Sequence, residues 1–201
     1  LSKLDYKIQN INTLANDSTL QPIERASSAM KKFSRISDSE IVTPEKLTDE
    51  IVGILPADEI TNTTTMLDIA AKQGEFVYAV YKRFGKQVAD NFYSIPTSKI
   101  TYEFTLKVYT LLGLNTAHVV SDFTAYDLLT NKSITENKQM KIGNTYMNFE
   151  IIVGNPPYQI MDGGGTGSSA VPIYGKFVEL TKFLNPRNIV IIMPSKWYSG
   201  G

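Results

Sequence analysis

The sequence predicts an α/β fold in which a parallel, doubly wound sheet is preceded by N-terminal helices. Two observations support this class. From residue 63 onward, short apolar stretches alternate with longer amphipathic ones, as strands alternate with helices in a parallel sheet. The short stretches are rich in β-branched residues, which is typical of strands covered on both faces. Residues 1–40 are more polar and predict an N-terminal helical segment, so we expect the main domain to span residues 41–201.

Two helices are predicted before the sheet begins. In IERASSAMKKF, residues 23–33, apolar residues recur at helical intervals. The second helix lies within IVTPEKLTDEIVGIL, residues 41–55. Thr43 is its predicted N-cap and Pro44 its first helical residue, a position where the missing N–H leaves no hydrogen bond unmade.

The alternation of strands and helices then continues along the chain. The predicted elements are a strand at 63–70, a helix at 75–85, a strand at 91–95, a helix at 99–114 broken by Gly113, a short strand at 118–123, a strand at 149–154, a helix at 171–184 and a strand at 188–194. The sheet would thus have about five strands. The polar residues 130–148 predict a hairpin or surface excursion, and MDGGGTGSS, residues 161–169, predicts a flexible loop.

Composition excludes several kinds of chemistry. The 201 residues are 42% apolar, which is enough for one globular domain. Lys plus Arg and Asp plus Glu both number 20, so the chain has no overall basic charge for non-specific nucleic-acid binding. The absence of cysteine excludes disulfides, thiolate nucleophiles and zinc sites built on sulfur, and the single histidine excludes a multi-histidine metal site. Because no apolar run reaches the ~18 residues of a membrane span and no signal peptide is recognisable, we expect a cytoplasmic location.

Polar or aromatic residues follow four predicted strands, at the edge where open α/β sheets bind ligands. They are residues 68–76, 96–98, Asp122 with Phe123, and 155–158. Taken alone, each group has a structural explanation: a tight connection, a capping aspartate, a strand stop or an interface ring. Their common edge favours a ligand site.

NPPY at residues 155–158, directly after an apolar strand, resembles the catalytic motif of amino-methyltransferases that use S-adenosylmethionine (SAM), chiefly the N6-adenine DNA methyltransferases. VTP at 42–44, LDIAAKQGEF at 67–76 and SDF at 121–123 resemble other motifs of these enzymes, in the family's order. The runs FSRISDSEIVTPEKL, IPTSKITYEFTLKVYTLLGL and NPPYQIMDGGGTGSSAVPIYGKF are similar to the Eco57I-type restriction-modification methylases. The resemblance extends from about Phe33 to the last residue.

This resemblance implies a Rossmann-like SAM-dependent methyltransferase domain that is only partly present, with the rest of the sheet and a target-recognition domain outside these residues. The implied catalytic residues are Asn155, Pro156, Pro157 and Tyr158. The implied cofactor-binding residues are Thr43, Pro44, Asp68, Ala70, Gly74, Phe76, Thr97, Asp122 and Phe123, and no metal is implied. The implied partner is double-stranded DNA, and the family pattern also allows a restriction endonuclease or specificity module in the same longer chain.

Two positions depart from the family pattern. An acidic residue that holds the cofactor ribose usually ends the second strand, whereas Thr97 follows it here, so Thr97, Ser98 or Glu103 would take over that role. Lys72 stands in the cofactor loop where glycine is common, and we interpret it as a solvated side chain. The single histidine, His118, is interpreted as a surface or structural residue.

The motif suits methyl transfer to an amine whose lone pair is delocalised. The side-chain oxygen of Asn155 and the carbonyl of Pro156, directed by the ring of Pro157, would accept hydrogen bonds from the two N–H groups of adenine and favour a tetrahedral nitrogen. Tyr158 would stack on an adenine flipped out of the duplex. The glycine-rich loop would bring N–H groups to a phosphate or form a disordered lid.

The leading hypothesis is therefore a site-specific N6-adenine DNA methyltransferase domain of a restriction-modification enzyme. One alternative is an NPPY-type methyltransferase that acts on protein glutamine or on RNA, because the amide nitrogen of glutamine poses the same geometric problem. The other is a truncated SAM-binding module without turnover.

Overall fold

The computed structural model describes residues 9, 12–13, 16–31, 41–161 and 170–195 of the chain. The predicted glycine-rich loop lies outside these ranges except for its first residue, 161. Among the described helices, none has the length and apolar character required to cross a bilayer.

Helices and strands are numbered here in chain order. The helices are α1 (Pro22–Met30), α2 (Glu45–Gly53), α3 (Glu75–Phe84), α4 (Lys86–Ala89), α5 (Lys99–Leu112) and α6 (Tyr174–Leu184). The strands are β1 (Met66–Ala71), β2 (Phe92–Pro96), β3 (Thr135–Glu136), β4 (Gln139–Ile142), β5 (Thr145–Met147), β6 (Ile151–Gly154), β7 (Gln159–Met161), β8 (Ala170–Pro172) and β9 (Asn188–Ile191).

A parallel sheet with the strand order β2-β1-β6-β9 forms the centre of the fold. The central strand β1 pairs on one side with β2 and on the other with β6, so that Asp68 lies opposite both Ser94 and Val153. After β1 the chain forms β2 on one side of it, and it later returns to form β6 on the other side. The carboxyl ends of β1 and β6 therefore flank a topological switch point, where such sheets bind ligands. The predicted α/β class is confirmed.

Alternate residues of the strands pack into separate cores on the two faces of the sheet. Met66 and Val153 pack with α1, α2, α3 and α5 on one face. Leu67 and Ile152 pack on the other face with α6 and with the antiparallel sheet β3-β4-β5. Helix α1 belongs to the first core, because its Ala26 is fully buried there. The sheet is thus covered on both sides, as its apolar strands predict.

The excursion predicted at residues 130–148 is the three-stranded sheet β3-β4-β5. Its register places Met140 opposite both Thr135 and Met147. Met140 is fully buried in the second core, whereas Lys141 and Tyr146 are exposed. The excursion therefore covers one face of the parallel sheet in addition to contacting solvent.

The strand predicted at residues 118–123 is wrong. Only Val119 pairs with the sheet, through a single bridge to Ser94, and residues 116–118 form a 3₁₀ turn. The segment is tied to β2 at two points, where Val120 donates to the Ser94 carbonyl at 2.9 Å and Ala125 donates to the Pro96 carbonyl at 2.8 Å. The polar residues between these points leave the sheet, so the described sheet has four strands and not about five.

Two predicted helix starts also differ from the structure. Helix α2 begins at Glu45 with Pro44 as its N-cap, and the carbonyl of Pro44 accepts the first intrahelical hydrogen bonds. Thr43 is therefore not the N-cap. Helix α6 begins at Tyr174 and not at residue 171, because residues 170–172 pair with β7 as strand β8. The N–H of Ile173 donates to the Tyr158 carbonyl at 3.0 Å, which keeps this segment beside the NPPY corner.

We expect Gly154→Val to destabilise the fold by about 1–3 kcal/mol, the usual effect of overpacking. A Cβ at Gly154 would lie 3.1 Å from Ile69 Cγ2 and 3.4 Å from Asp68 Oδ1, inside the β1–β6 contact. Urea denaturation measures the change in unfolding free energy. Gly53→Ala is the control, because a Cβ there meets nothing within 4 Å and alanine favours the helix. Equal stability of the two variants would show that β1 and β6 tolerate a side chain between them.

Candidate active site

The NPPY segment begins where β6 ends, at the switch point of the sheet. Asn155 is half-buried, and Pro156 and Pro157 are buried. The two prolines fix two φ angles and remove two N–H donors, so the corner has little conformational freedom. Tyr158 leaves the corner with 40% of its surface exposed. The segment thus presents a rigid backbone with an accessible ring beside it.

Two other segments of the chain hold Asn155. Its side-chain Nδ2 donates to Thr43 Oγ1 at 3.2 Å. Its backbone carbonyl accepts from the Nζ of Lys72 at 3.0 Å. Because the amide nitrogen faces Thr43, the side-chain oxygen Oδ1 is directed away from it and can accept a hydrogen bond from a ligand. Asn155 is therefore oriented through both its side chain and its main chain.

The loop between β1 and α3 supports this arrangement through Glu75. This buried carboxylate accepts from the N–H of Gln73 at 3.0 Å and from the N–H of Thr43 at 3.4 Å. Its position in the first turn of α3 also suits a negative charge, because the N-terminal end of a helix is electropositive. Glu75 thus joins the loop to the segment that contains Thr43.

Gly74 gives this loop its shape. Its φ of 80° lies in the left-handed region, which glycine enters at little cost. A Cβ at this position would also lie 3.3 Å from the side chain of Val108 in α5. The following Phe76 is buried in the first core. Gly74 and Phe76 therefore shape and anchor the loop.

Asp68 is a fully buried carboxyl within β1. Its Oδ1 accepts from the N–H of Ala70 at 3.0 Å, and its Oδ2 is buried without a hydrogen-bond partner. Burial raises the pKa of Asp68 well above its usual value, and the negative Glu75 raises that pKa further. The Ala70 N–H and the Lys72 ammonium act in the opposite direction. The site therefore holds a buried oxygen atom able to accept from a donor or a cation.

The end of β2 lies on the far side of β1 from Asn155. Thr97 is buried; its N–H donates to the Ala71 carbonyl at 3.2 Å, and its hydroxyl lies 3.3 Å from that of Thr101. Ser98 caps α5 and Glu103 is exposed. Thr97, Ser98 and Glu103 were the three candidates to replace the acidic residue that binds the ribose. Glu103 is the one with a carboxylate, and that carboxylate is accessible to solvent.

The loop that contains Asp122 and Phe123 follows, attached to the end of β2 by the Ala125–Pro96 hydrogen bond. Asp122 is exposed, and Phe123 packs partly against the second core. From β6 across β1 to β2 the carboxyl edge measures about 10 Å, at roughly 4.8 Å per strand. The predicted residues are therefore distributed along an edge long enough for an extended ligand.

An open cleft of about 360 Å³ adjoins the corner on the side of Thr43. Its lining consists of Met30, Lys31, Ile41, Val42, Thr43, Pro44, Glu45 and Gln73. Two predicted cofactor residues, Thr43 and Pro44, therefore border a cavity. No cluster of three or more metal-binding side chains occurs in the described ranges.

Sequence reasoning missed the two charged residues that organise the loop. Lys72 is 3% exposed and bonded to Asn155, so its interpretation as a solvated side chain is wrong. Glu75 was not singled out at all. The sequence did contain one signal for them. Both residues stand in a short strand-to-helix connection at the switch point, where the neighbouring residues are small and a long side chain is readily buried. His118, in contrast, stacks on Tyr93 at 3.9 Å between ring centroids, as a structural residue would.

Comparison with known proteins gives two matches. A family model described as Eco57I restriction-modification methylase matches residues 57–201. A relative from Mycoplasma pneumoniae (strain ATCC 29342 / M129 / Subtype 1), named "Uncharacterized adenine-specific methylase", is 36% identical over 74 residues. That alignment covers 36% of this chain and 18% of the relative, so the chain spans less than a fifth of the relative's length. No solved structure gives a significant match.

We expect Asp68→Asn to become more stable relative to the wild type as the pH rises. A carboxyl whose folded-state pKa is raised stabilises the fold below its unfolded pKa of 3.8, and this contribution is lost as the pH rises through the folded pKa. Asparagine keeps the acceptor for the Ala70 N–H and cannot ionise. The unfolding free energies of both proteins at pH 5 and pH 8 give the change in relative stability. Each unit by which folding raises the pKa of Asp68 corresponds to about 1.4 kcal/mol.

The control for this pair of measurements is Asp58→Asn, which removes an exposed carboxyl. Its stability relative to the wild type should change little between the two pH values. A constant difference for Asp68→Asn over the same range would show that the carboxyl ionises in the folded protein as readily as in the unfolded chain.

Proposed function

The chain belongs to the family of Eco57I restriction-modification methylases, and on this premise we propose that it is the catalytic domain of a SAM-dependent methyltransferase that modifies adenine N6 in double-stranded DNA. The observation that carries the proposal is the fixed position of Asn155 between the β1–α3 loop and the segment around Thr43. The similarity to the Mycoplasma relative, which is named an adenine-specific methylase, supports adenine as the target base.

The buried carboxyl groups on either side of the β1–α3 loop suit a cationic cofactor. Asp68 in β1 has a buried oxygen without a hydrogen-bond partner, and Glu75 adds a second carboxyl at the start of α3. Carboxyl groups favour the positive ammonium and sulfonium of SAM. Thr43, Pro44, Gly74, Thr97, Asp122 and Phe123 would hold or border the cofactor along the edge of the sheet. When bound, SAM supplies an electrophilic methyl group.

Asn155 and Pro156 would act on the target amine. The Oδ1 of Asn155 and the carbonyl oxygen of Pro156 accept from its two N–H groups, which favours a tetrahedral nitrogen with a localised lone pair. Positive charge would develop on this nitrogen as the methyl group passes to it and its bond to the sulfonium sulfur breaks, leaving a neutral thioether, and the two oxygens would stabilise that charge. The proton leaves to solvent after the methyl group has moved. No general base is needed before transfer.

Tyr158 would receive the target base after it leaves the duplex. Its ring is 40% exposed beside the corner, and partial burial raises the pKa of its hydroxyl, so the ring stays neutral near neutral pH. Base–aromatic stacking contributes about 1–3 kcal/mol per base, which offsets part of the few kcal/mol required for flipping. Tyr158 would therefore stabilise the flipped base.

The direct test is methyl transfer from labelled SAM by the full-length protein to duplex DNA, RNA and protein substrates in parallel. Label in N6-methyladenine of DNA is the expected result. Label found only in cytosine, in RNA or in protein glutamine would show that DNA adenine is not the substrate. SAM binding without transfer to any substrate would identify a binding module.

We expect Asn155→Ala to lower kcat by about 10²–10³-fold, the usual effect of removing one preorganised hydrogen-bonding group. SAM affinity, measured by calorimetry, should change less than about threefold, because Asn155 faces the amine. Asn62→Ala is the control, since Asn62 is exposed in a turn before β1, at the other end of the strand. Parallel losses of SAM affinity and kcat would assign Asn155 a structural role.

Tyr158→Ala should raise the KM for DNA by about 5–100-fold, corresponding to the loss of one stacked base. Tyr158→Phe keeps the ring and should stay within about threefold of the wild type. Fluorescence of 2-aminopurine at the target position reports flipping independently of turnover. A phenylalanine variant as impaired as the alanine variant would assign the function to the hydroxyl.

A further inference from the structure

Lys72 is a buried cation whose ammonium is bonded to the main chain of another segment. It is 3% exposed, and its Nζ donates to the backbone carbonyl of Asn155 at 3.0 Å. The two residues are 83 positions apart in sequence. A buried lysine is uncommon because its charge must be compensated, so its presence in a short loop at the switch point requires an explanation.

The contact controls the peptide group that joins Asn155 to Pro156. The ring of Pro156 fixes its own φ, so rotation of this peptide plane depends mainly on ψ of Asn155. A donor that holds the carbonyl oxygen of Asn155 fixes that rotation. Pro157 restricts ψ of Pro156 to extended values, so the direction of the Pro156 carbonyl follows from the orientation of this peptide plane. The Lys72 hydrogen bond thus orients the main-chain oxygen that is proposed to meet the target amine.

Thr43 restrains the other part of the same residue. Its hydroxyl accepts from Asn155 Nδ2, and its own N–H donates to Glu75. Glu75 begins α3, three residues after Lys72. The side chain and the main chain of Asn155 are therefore both held from the β1–α3 loop, once directly by Lys72 and once through Thr43.

A buried carboxyl lies close enough to the lysine to interact with its charge. Asp68 is buried in β1 close enough for its ionisation to depend on Lys72, and Glu75 is buried three residues after the lysine. The ammonium is thus buried near the carboxyl group of Asp68. This placement keeps the donor directed at Asn155 without exposure to solvent.

We infer that Lys72 is a positioning residue for methyl transfer: it locks the Asn155–Pro156 peptide so that the Pro156 carbonyl faces the target amine beside the side-chain oxygen of Asn155, which Thr43 holds. The inference rests on the proposed function, because it assigns a role within that reaction. It gives Lys72 no contact with the substrate or the methyl group.

The first test measures the contact itself in the full-length protein, without SAM or DNA. Asparagine labelled with ¹³C at the carbonyl and proline labelled with ¹⁵N report Asn–Pro peptides selectively by NMR. The 201 residues contain two of them, at Asn155–Pro156 and Asn185–Pro186, and Asn155→Ala identifies the first by its loss. Lys72→Met should shift the Asn155 signal and leave the Asn185 signal unchanged. An unmoved Asn155 signal overturns the inference.

The second test separates positioning from cofactor binding. Lys72→Met should lower kcat by about 10–100-fold, the scale expected for a misplacement of about 1 Å, with SAM affinity within about threefold of the wild type. Lys72→Gln keeps a neutral donor and should lose less; it also serves if the methionine variant does not fold. Lys46→Met is the control, because its side chain is 89% exposed on α2. An unchanged kcat, or a loss of SAM affinity equal to the loss of kcat, overturns the inference.

A double-mutant comparison shows whether Lys72 acts through Asn155. In the Asn155→Ala background, Lys72→Met should reduce kcat by a much smaller factor than in the wild type, since residues that act as a unit are non-additive. Equal factors in both backgrounds overturn the inference. If the wild type methylates no substrate, the proposed function and the catalytic role both fail, and a shifted Asn155 signal then assigns Lys72 a structural contact alone.

Discussion

The close pairing of β1 with β6 is the constraint on which the site depends. These strands are separated in sequence by α3, α4, β2, α5 and the antiparallel sheet, yet they lie side by side with Asp68 opposite Val153. Gly154 permits this contact at its carboxyl end, where a side chain would collide with Ile69. Because the strands are parallel and adjacent, the loops that follow them emerge together, which brings Lys72 to Asn155. A wider or shifted pairing would separate the two loops.

The charges in this crevice explain why the loop departs from a purely glycine-rich form. Asp68 and Glu75 are both buried, and two carboxyl groups without a nearby cation would be costly in such a site. Lys72 supplies one positive charge. The orphan oxygen of Asp68 shows that the acidic side of this balance is not fully satisfied by the protein. A cationic ligand is therefore electrostatically favoured there, which agrees with the chemistry of SAM.

The fold was largely predictable from sequence because apolar strand segments and amphipathic helices carry their own periodicity. The segment around Val119 misled that reasoning: its two buried valines resemble a strand, but adjoining polar residues end the pairing after one bridge. The positions of Asn155 and Gly74 followed from motif and strand order. The partners of Lys72 and Thr43 did not, because a side-chain bond across 83 or 112 residues depends on register and loop geometry, which no local pattern contains.

Thr43 both holds Asn155 and is proposed to border the cofactor, so the two halves of the site are linked through this residue. Thr43 borders the cleft and also bonds to Asn155, and Glu75 binds both Thr43 and the loop of Lys72. A ligand that displaced this loop would change the direction of the acceptor oxygens, because the same hydrogen bonds define both. The acceptor oxygens therefore have the direction required for methyl transfer only when the β1–α3 loop keeps its present position. The network is rigid because of its hydrogen bonds and the two consecutive prolines. This rigidity is present before the target base binds.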